Sequence, residues 1–462
     1  MKDLIIELYS VGILVDPAAD LSPLAGFEKL FLQWCMSNRV RVVNNSVVRA
    51  FFIDLETEKA AEAKIKIEDH TSEISIKGDA TDWVNYFNSR YNQIKQMIAP
   101  NIGQVYSIGS TSTLPSSRVS VIGMIYEQKT TPKGHITWIL DDPTGSTKIV
   151  ITKNSSAYKQ ATKVLKDAVV GVSGTVSRAG DCIFADEVKL PDIPPAGLKW
   201  PEGSSGKVVI ISDTHIGSKY ALMEKTEEAI REIRNIKGLR AVIHLGDLVD
   251  CRGVYPNQED ELIIKSIKEQ YDEASRVLSG LLDVPVILLP GNHSFGGTGN
   301  KLPAPAIPKT TETGGIYKLK NVIPVSDPAE VVFDEKVRFL LTHGLSLHSI
   351  MSSYGIHPTA EGIIISVQAM LMHRHICPPY GMREAQITPT REDLLVIRNV
   401  PHLVATGHIH VSASGEYKGV KIIGAGSFQE ETPYMKAQNI SATPPSYFVV
   451  DLETGGVEHV PL

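Results

Sequence analysis

The chain has 462 residues with 42% hydrophobic and 21% charged side chains, an ordinary globular balance that excludes wholesale disorder, a collagen-like repeat and a pure coiled coil. Lys and Arg number 46 against 52 Asp and Glu, a formal charge of −6, which excludes nucleic-acid binding through the whole surface. Any DNA or RNA must be handled locally, through metal ions, or beside a more basic partner. Cys35, Cys182, Cys251 and Cys377 are far apart, so neither a disulfide framework nor a cysteine zinc site is expected. Asp3 and Glu7 interrupt the apolar start, against a secretory signal. The apolar run 363–372 is too short for a bilayer, so no membrane partner and a cytoplasmic setting are expected.

In chain order, residues 27–36 predict a helix, followed by the basic, β-branched stretch Arg39-Val-Arg-Val-Val. Residues 54–80 are rich in Glu, Lys and Ala and read as a solvated connector with a weakly alternating tail. Over 82–98, Trp83, Tyr86, Phe87, Tyr91, Ile94 and Ile98 recur at helical spacing, a packing stripe rather than a binding box. From 103 to 190 the pattern is all-β. Runs at 119–126, 135–140 and 147–152, with a turn signal at Asp141-Asp-Pro-Thr-Gly145, precede a short helix at 157–167 and strands at 169–176 and 182–188. Three strands, a helix and two strands is the order of an OB-fold barrel. Such barrels bind single strands through stacked aromatics. Trp138 and Tyr126 are candidates, but aromatics are few and a structural or subunit-docking barrel is the favoured reading.

A linker rich in Pro and Gly, 191–206, ends that region. Beyond it, buried-type strands at 208–211, 241–245 and 284–289 alternate with helices at 221–236 and 259–282. Further strands follow at 331–333, 337–341, 402–405 and 419–423. The run 363–372 reads as an internal helix, with a partner surface as the alternative.

The strand ends carry Asp213-Thr-His215, Gly246-Asp247-Leu-Val-Asp250, Gly291-Asn292-His293, His343-Gly344 and Gly407-His408-Ile-His410. Loops beyond the carboxyl ends of such strands gather in one crevice, and Asp, Asn and His there are donors for divalent transition metals. Any one fragment is weak; five in order are a strong signal for a two-metal site. Asp250 reads equally as a residue orienting a ligand or as a helix-start carboxylate. His348, His357, His373 and His375 read as surface or supporting histidines.

This series resembles the calcineurin-like metallophosphoesterase superfamily over about 207–430. The resemblance implies a two-sheet α/β sandwich. It implies that Asp213, His215 and His410 hold one ion, that Asn292, His343 and His408 hold the other, and that Asp247 bridges them. It gives His293 the role of general acid or phosphate donor. Two cations about 3.5–4 Å apart clamp the attacking and leaving oxygens of an in-line displacement. Mn²⁺ is the expected ion, with Zn²⁺, Fe²⁺ and Mg²⁺ as alternatives.

A barrel before such a domain is similar to the B-type subunits of replicative DNA polymerases. The stretches Asn88-Ser-Arg-Tyr-Asn-Gln-Ile-Lys95, Leu140-Asp-Asp-Pro-Thr-Gly145, Arg374-His-Ile-Cys-Pro-Pro-Tyr-Gly381 and Arg391-Glu-Asp-Leu-Leu395 resemble the small subunits of archaeal family D polymerases. That likeness implies a proofreading 3′→5′ exonuclease acting on DNA 3′ ends. It also implies a heteromer with a large catalytic subunit, a sliding clamp reached through the complex, and a place at the nucleoid during replication. A scaffold without catalysis and a free-standing repair nuclease are the alternatives. Ser294 departs from the acid usual after the G-N-H block, a Gly-rich insertion follows at 295–300, and Leu345 and His348 stand where Arg and acidic residues are usual. The expected organisation is an N-terminal region and connector (1–80), an OB-fold domain with a leading helix (81–195) and a phosphoesterase domain (207–462).

Overall fold

A computed structural model describes residues 2–51, 65–74, 78–251, 253–254, 258–295, 300–383, 385–438 and 440–462. The chain divides into two compact units, Met1–Lys66 and Ile67–Leu462. The first is small. Helices α1 (Lys2–Ser10) and α2 (Glu28–Ser37) and the parallel pair β1 (Leu14–Val15) and β2 (Val42–Val43) enclose Leu4, Leu8, Phe31, Cys35 and Phe51. Much of the expected connector lies outside the described residues. Its end is not a solvated linker: β3 (Ile65–Glu68) is an edge strand of a sheet.

Helix α3 (Ala80–Ile98) starts where Asp79 accepts from the Thr81 and Asp82 amides in a capping box. Its stripe packs two ways. Tyr86 joins the phosphoesterase core, whereas Tyr91, Ile94 and Ile98 pack with Ile122 and Val169 of the barrel. The barrel comprises β4 (Val105–Tyr106), β5 (Arg118–Thr130), β6 (Ile136–Asp142), β7 (Gly145–Ile151), a single turn α4 (Tyr158–Ala161), β8 (Val169–Val176) and β9 (Cys182–Lys189). Antiparallel pairing of β5 with β8 closes it. Trp138 is 1% exposed and belongs to the barrel core, so it cannot stack a base; Tyr126 is 70% exposed. The helix expected over 157–167 shortens because Val164, Leu165 and Ala168 are drawn into the core and the Asp167 amide bonds to Ile125 O.

The rest of the unit is built on two six-stranded sheets. Along the chain come β10 (Lys207–Ile211), α5 (Met223–Ile233), β11 (Leu239–His244), α6 (Ile267–Leu278), β12 (Val286–Leu288), β13 (Lys301–Leu302), β14 (Val322–Pro324), β15 (Ala329–Phe333) and β16 (Val337–Thr342). Then follow α7 (Leu345–Tyr354), α8 (Ala360–His373), β17 (Gln386–Ile387), β18 (Leu403–Thr406), β19 (Ser412–Tyr417), β20 (Val420–Ala425), α9 (Pro433–Ala437), β21 (Ser446–Asp451) and β22 (Val457–Pro461). One sheet runs β14-β12-β11-β10-β21-β22, the other β19-β20-β18-β16-β15-β3. Helices α5 and α6 cover the first, and α7 and α8 belong to the core of the second. In α8 the side chains of Ile363, Val367, Ala369, Met370 and Leu371 are buried, so the apolar run is an internal helix and not a partner surface. The long helix expected over 259–282 starts only at the Ser266 cap, because the Ile263 and Ile264 amides bond instead to Gly217 O.

Three of the four stretches that resemble polymerase small subunits, 88–95, 374–381 and 391–395, meet at one buried hub. The Arg90 side chain donates to Asp393 Oδ2 at 2.8 Å, Pro378 O at 3.0 Å, Asp167 O at 3.3 Å and Tyr86 OH at 3.0 Å. His375 Nε2 lies 2.9 Å from the same Asp393 oxygen. These segments therefore clamp the helix, barrel and phosphoesterase core together.

Candidate metal centre

The loops after β10, β11, β12, β16 and β18 deliver Asp213, His215, Asp247, Asn292, His343, His408 and His410 to one place. Three of the strands are consecutive in the first sheet and two are neighbours in the second. The loops interlock through the backbone: Asp213 N donates to Gly246 O at 3.1 Å and His215 N to Asp247 O at 3.0 Å. Glycines let them close up. A Cβ at Gly291 would stand 2.0 Å from Asp247 Oδ1, and one at Gly407 would stand 2.6 Å from Asp213 Oδ2. Five of the seven residues have left-handed backbones: Asp213 (φ 53°), His215 (45°), Asp247 (51°), His408 (69°) and His410 (60°). Each such conformation costs on the order of 1–2 kcal/mol for a side chain with a Cβ. Strain of this kind persists where the surroundings impose it, and it clusters at functional sites.

Each carboxylate has one oxygen fixed by backbone and the other turned to imidazoles. Asp213 Oδ2 accepts from His408 N at 2.9 Å. Its Oδ1 is buried without a hydrogen bond and faces His410 Nε2 at 3.4 Å and His215 Nε2 at 3.7 Å. Asp247 Oδ1 accepts from His293 N at 2.8 Å. Its Oδ2 stands 3.2 Å from His343 Nε2 and 3.8 Å from His215 Nε2, between the two groups. His343 Nδ1 donates to Leu245 O at 3.0 Å, which turns its Nε2 toward Asn292 Oδ1 at 3.1 Å and leaves that nitrogen as the ligand atom of the neutral ring. His408 completes that second group, its ligand atom within 4.8 Å of those of Asp247 and His343.

The charges call for a cation. His215 Nε2 and His410 Nε2 face each other at 3.2 Å, so a proton or another cation must lie between two imidazole lone pairs. Burial would lower His215, but the carboxylates of Asp213 and Asp250 push it up to about 10. Burial likewise opposes protonation of His343, yet the Asp247 charge lifts it to about 9. Burial and the neighbouring His343 hold His408 well below its ordinary value. The carboxylates thus favour positive charge on His215 and His343, the groups that lie between them. An orphaned buried oxygen with converging nitrogen and oxygen donors fits divalent transition metals.

His293 stands beside this set. Its Nδ1 is 2.5 Å from Asp250 Oδ1, and Gln258 Nε2 donates to that oxygen at 2.7 Å. Asp250, which the sequence left open between two readings, fixes the His293 ring. Burial notwithstanding, hydrogen bonding to the histidines keeps the Asp250 carboxyl well below the usual range. Ser294 Oγ accepts from Gly291 N at 2.9 Å and closes the turn that presents Asn292 and His293. Of the other histidines, His348 packs edge-on against His408 at 5.3 Å, His373 and His375 are buried structural residues, and His357 is exposed. Arg383, Tyr434, Gln438 and Gln258 were not marked by any sequence pattern. The first three sit on the cleft in front of the cluster, and only the fold brings them there. Part of the 295–300 insertion lies outside the described residues.

The calcineurin-like phosphoesterase family matches residues 206–412 and the OB-fold nucleic acid binding domain matches residues 119–191. Fold and site together define a calcineurin-like phosphoesterase domain joined to an OB-fold barrel. The chain is 33% identical to the DNA polymerase II small subunit of Methanothermobacter thermautotrophicus over 392 residues, covering 82% of this chain and 79% of that one. The subunit of Archaeoglobus fulgidus is 31% identical, with 94% and 92% covered, and that of Pyrococcus abyssi 30% identical, with 99% and 74% covered. The chain belongs to the DNA polymerase II small-subunit family. Among the described residues no helix is long and apolar enough to cross a membrane.

Proposed function

We propose that this chain is a metal-dependent 3′→5′ exodeoxyribonuclease that works as the small subunit of a DNA polymerase. The observation that carries the reading is the buried Asp213 Oδ1, left without a hydrogen bond while His215 and His410 turn their Nε2 atoms to it. A purely structural cluster would satisfy that oxygen.

Asp213, His215 and His410 would hold one ion and Asn292, His343 and His408 the other, with Asp247 shared; the donor set suits Mn²⁺, Zn²⁺ or Fe²⁺. When bound, such ions supply Lewis-acid polarisation of the phosphodiester. The protein's own groups do the rest. Asp250 accepts the His293 Nδ1 proton and so leaves Nε2 as the working nitrogen. A water attacks phosphorus as the P–O3′ bond breaks, His293 donates a proton from Nε2 to the leaving O3′, and the proton lost by the water passes to solvent. The interlocked loops keep the donors fixed, so little reorganisation accompanies reaction. The ligands lie at the bottom of a cleft, and a frayed end reaches further into it than a paired one. A net charge of −6 gives little general attraction for DNA; a large, more basic catalytic subunit would supply the grip and present the 3′ end. The small N-terminal unit that precedes β3 would serve as a separate tether.

Labelled oligonucleotides blocked at the 3′ or the 5′ end test the reading in the co-expressed complex. Mononucleotide release from free 3′ ends is expected. Cleavage only from 5′ ends refutes the polarity, and separate elution of the two chains at micromolar concentration refutes the subunit assignment.

A further inference from the structure

The cleft in front of the metal cluster is also walled by residues that are not among the candidate ligands. Its volume is about 490 Å³, within the about 300–1,000 Å³ usual for sites that enclose a small ligand. That wall includes Arg383 together with Tyr434 and Gln438 from α9 and the residue after it. Tyr434 is 60% exposed, while its neighbours Thr432 and Met435 are buried at 8% and 5%. The turn beneath the ring is fixed: Thr432 caps it by accepting from Met435 N at 3.2 Å. The ring thus projects from a capped turn and is largely open to solvent.

A lone exposed tyrosine is ordinary on a protein surface. This one shares its cleft with Arg383, the one Lys or Arg among the described residues lining it. Arg383 is exposed and makes no ion pair with any described residue. Gln438 adds an exposed carboxamide. A cation, an aromatic face and a carboxamide are the complements of what a nucleotide offers: a phosphate, a base face and a base edge. Guanidinium groups suit phosphate oxygens through paired N–H donors. Aromatic rings stack any base, because every base has a π-face. The barrel supplies no such platform from Trp138, which is buried.

We propose that Tyr434 is the platform on which an unpaired terminal base stacks, that Arg383 holds the adjoining backbone phosphate, and that the cleft thereby selects single-stranded ends. The inference rests on the phosphodiesterase reading above. A base inside a duplex is already stacked and paired, so it has no free face for the ring until it is unstacked, which disfavours paired ends. These are positioning residues; neither touches the scissile bond.

The test uses the full chain with its polymerase partner and a single strand ending in 3′ 2-aminopurine, bound in EDTA so that nothing turns over. Wild type should quench the fluorescence by stacking. Tyr434→Ala should lose the quench and, in a parallel turnover assay with Mn²⁺ in place of EDTA, raise KM for the oligonucleotide about tenfold, with a smaller effect on kcat. Tyr434→Phe should restore both. Arg383→Ala should raise KM and keep the quench. Equal quench and KM in wild type and Tyr434→Ala overturn the platform, as does a Phe variant as impaired as Ala. Hydrolysis of bis(p-nitrophenyl) phosphate with Mn²⁺ separates the two layers, since it needs no base. Wild type inactive on both substrates overturns the phosphodiesterase reading and the platform with it. Wild type active on both, with Tyr434→Ala unchanged on the oligonucleotide as well as on the small ester, overturns the platform alone.

Discussion

Arg90→Met removes the charge at the hub while keeping an unbranched apolar stem. The loss can be worked from the contacts. Arg90 is 1% exposed and donates to one carboxylate, two carbonyls and a phenol. Breaking a buried pair by removing one partner costs about 3–5 kcal/mol, because the other charge stays buried. That is a large share of the about 5–15 kcal/mol that stabilises a typical domain. Asp393 would keep the Leu395 amide at 3.0 Å and His375 at 2.9 Å. Burial and the Arg90 charge push His375 down to about 4, so it is neutral beside Arg90. Without Arg90 its folded value must rise, the variant binds a proton that wild type refuses, and the defect should shrink as pH falls from 7 toward 5. Hydrogen exchange over Ala80–Ile98 is the assay. Opening should become about a hundredfold or more easier at pH 7, and Arg90→Met with Asp393→Asn should recover part of it. Exchange within about threefold of wild type at pH 7 would refute the reasoning.

Three further outcomes are expected. His293→Ala should keep its metals and lose about 10²–10⁴-fold in single-turnover cleavage; a full rate would remove His293 from the mechanism. Asp250→Asn should do the same to a smaller degree, about a hundredfold, with a shifted pH–rate profile, and unchanged kinetics would leave Asp250 a structural cap. His373 is buried, its Nδ1 donating to Ala369 O at 2.7 Å and its Nε2 accepting from Leu165 N at 3.2 Å, and burial pushes it down to about 4. Its contribution is whole above the unfolded value of about 6.5 and is lost as pH falls through 6.5 to 4, so the stability gap between wild type and His373→Asn should narrow by about 2 kcal/mol from pH 7 to 5. A gap that stays constant contradicts this.

The order of strands and the ligand fragments were legible because both are local. Alternation marks β5 to β9, and Asp, Asn or His directly after an apolar run marks a strand end. What the sequence hid was set by tertiary contact. Trp138 looks like a stacking platform in a strand of exposed and buried alternation, and only barrel closure shows that it points inward. The segment before Ser266 has helical composition, yet its amides go to Gly217 and its Gln258 to Asp250. The family-like stretches around Arg90, Arg374 and Asp393 suggested function by their resemblance, but they hold the parts together. Asp250 remained ambiguous until its distance to His293 was fixed, and Tyr434 and Arg383 carry no motif, since a platform is defined by what lies opposite it.

The most direct measurement of the central claim compares wild-type and Asp247→Ala complexes, each assayed for metal content and for release of 3′-terminal nucleotides from 3′-free and 3′-blocked strands. Asp247 faces both histidine groups, so the account predicts bound transition metal and 3′ release in wild type alone, with none from blocked strands. Metal-free active wild type, or an Asp247→Ala complex that still trims 3′ ends at the wild-type rate, would contradict it.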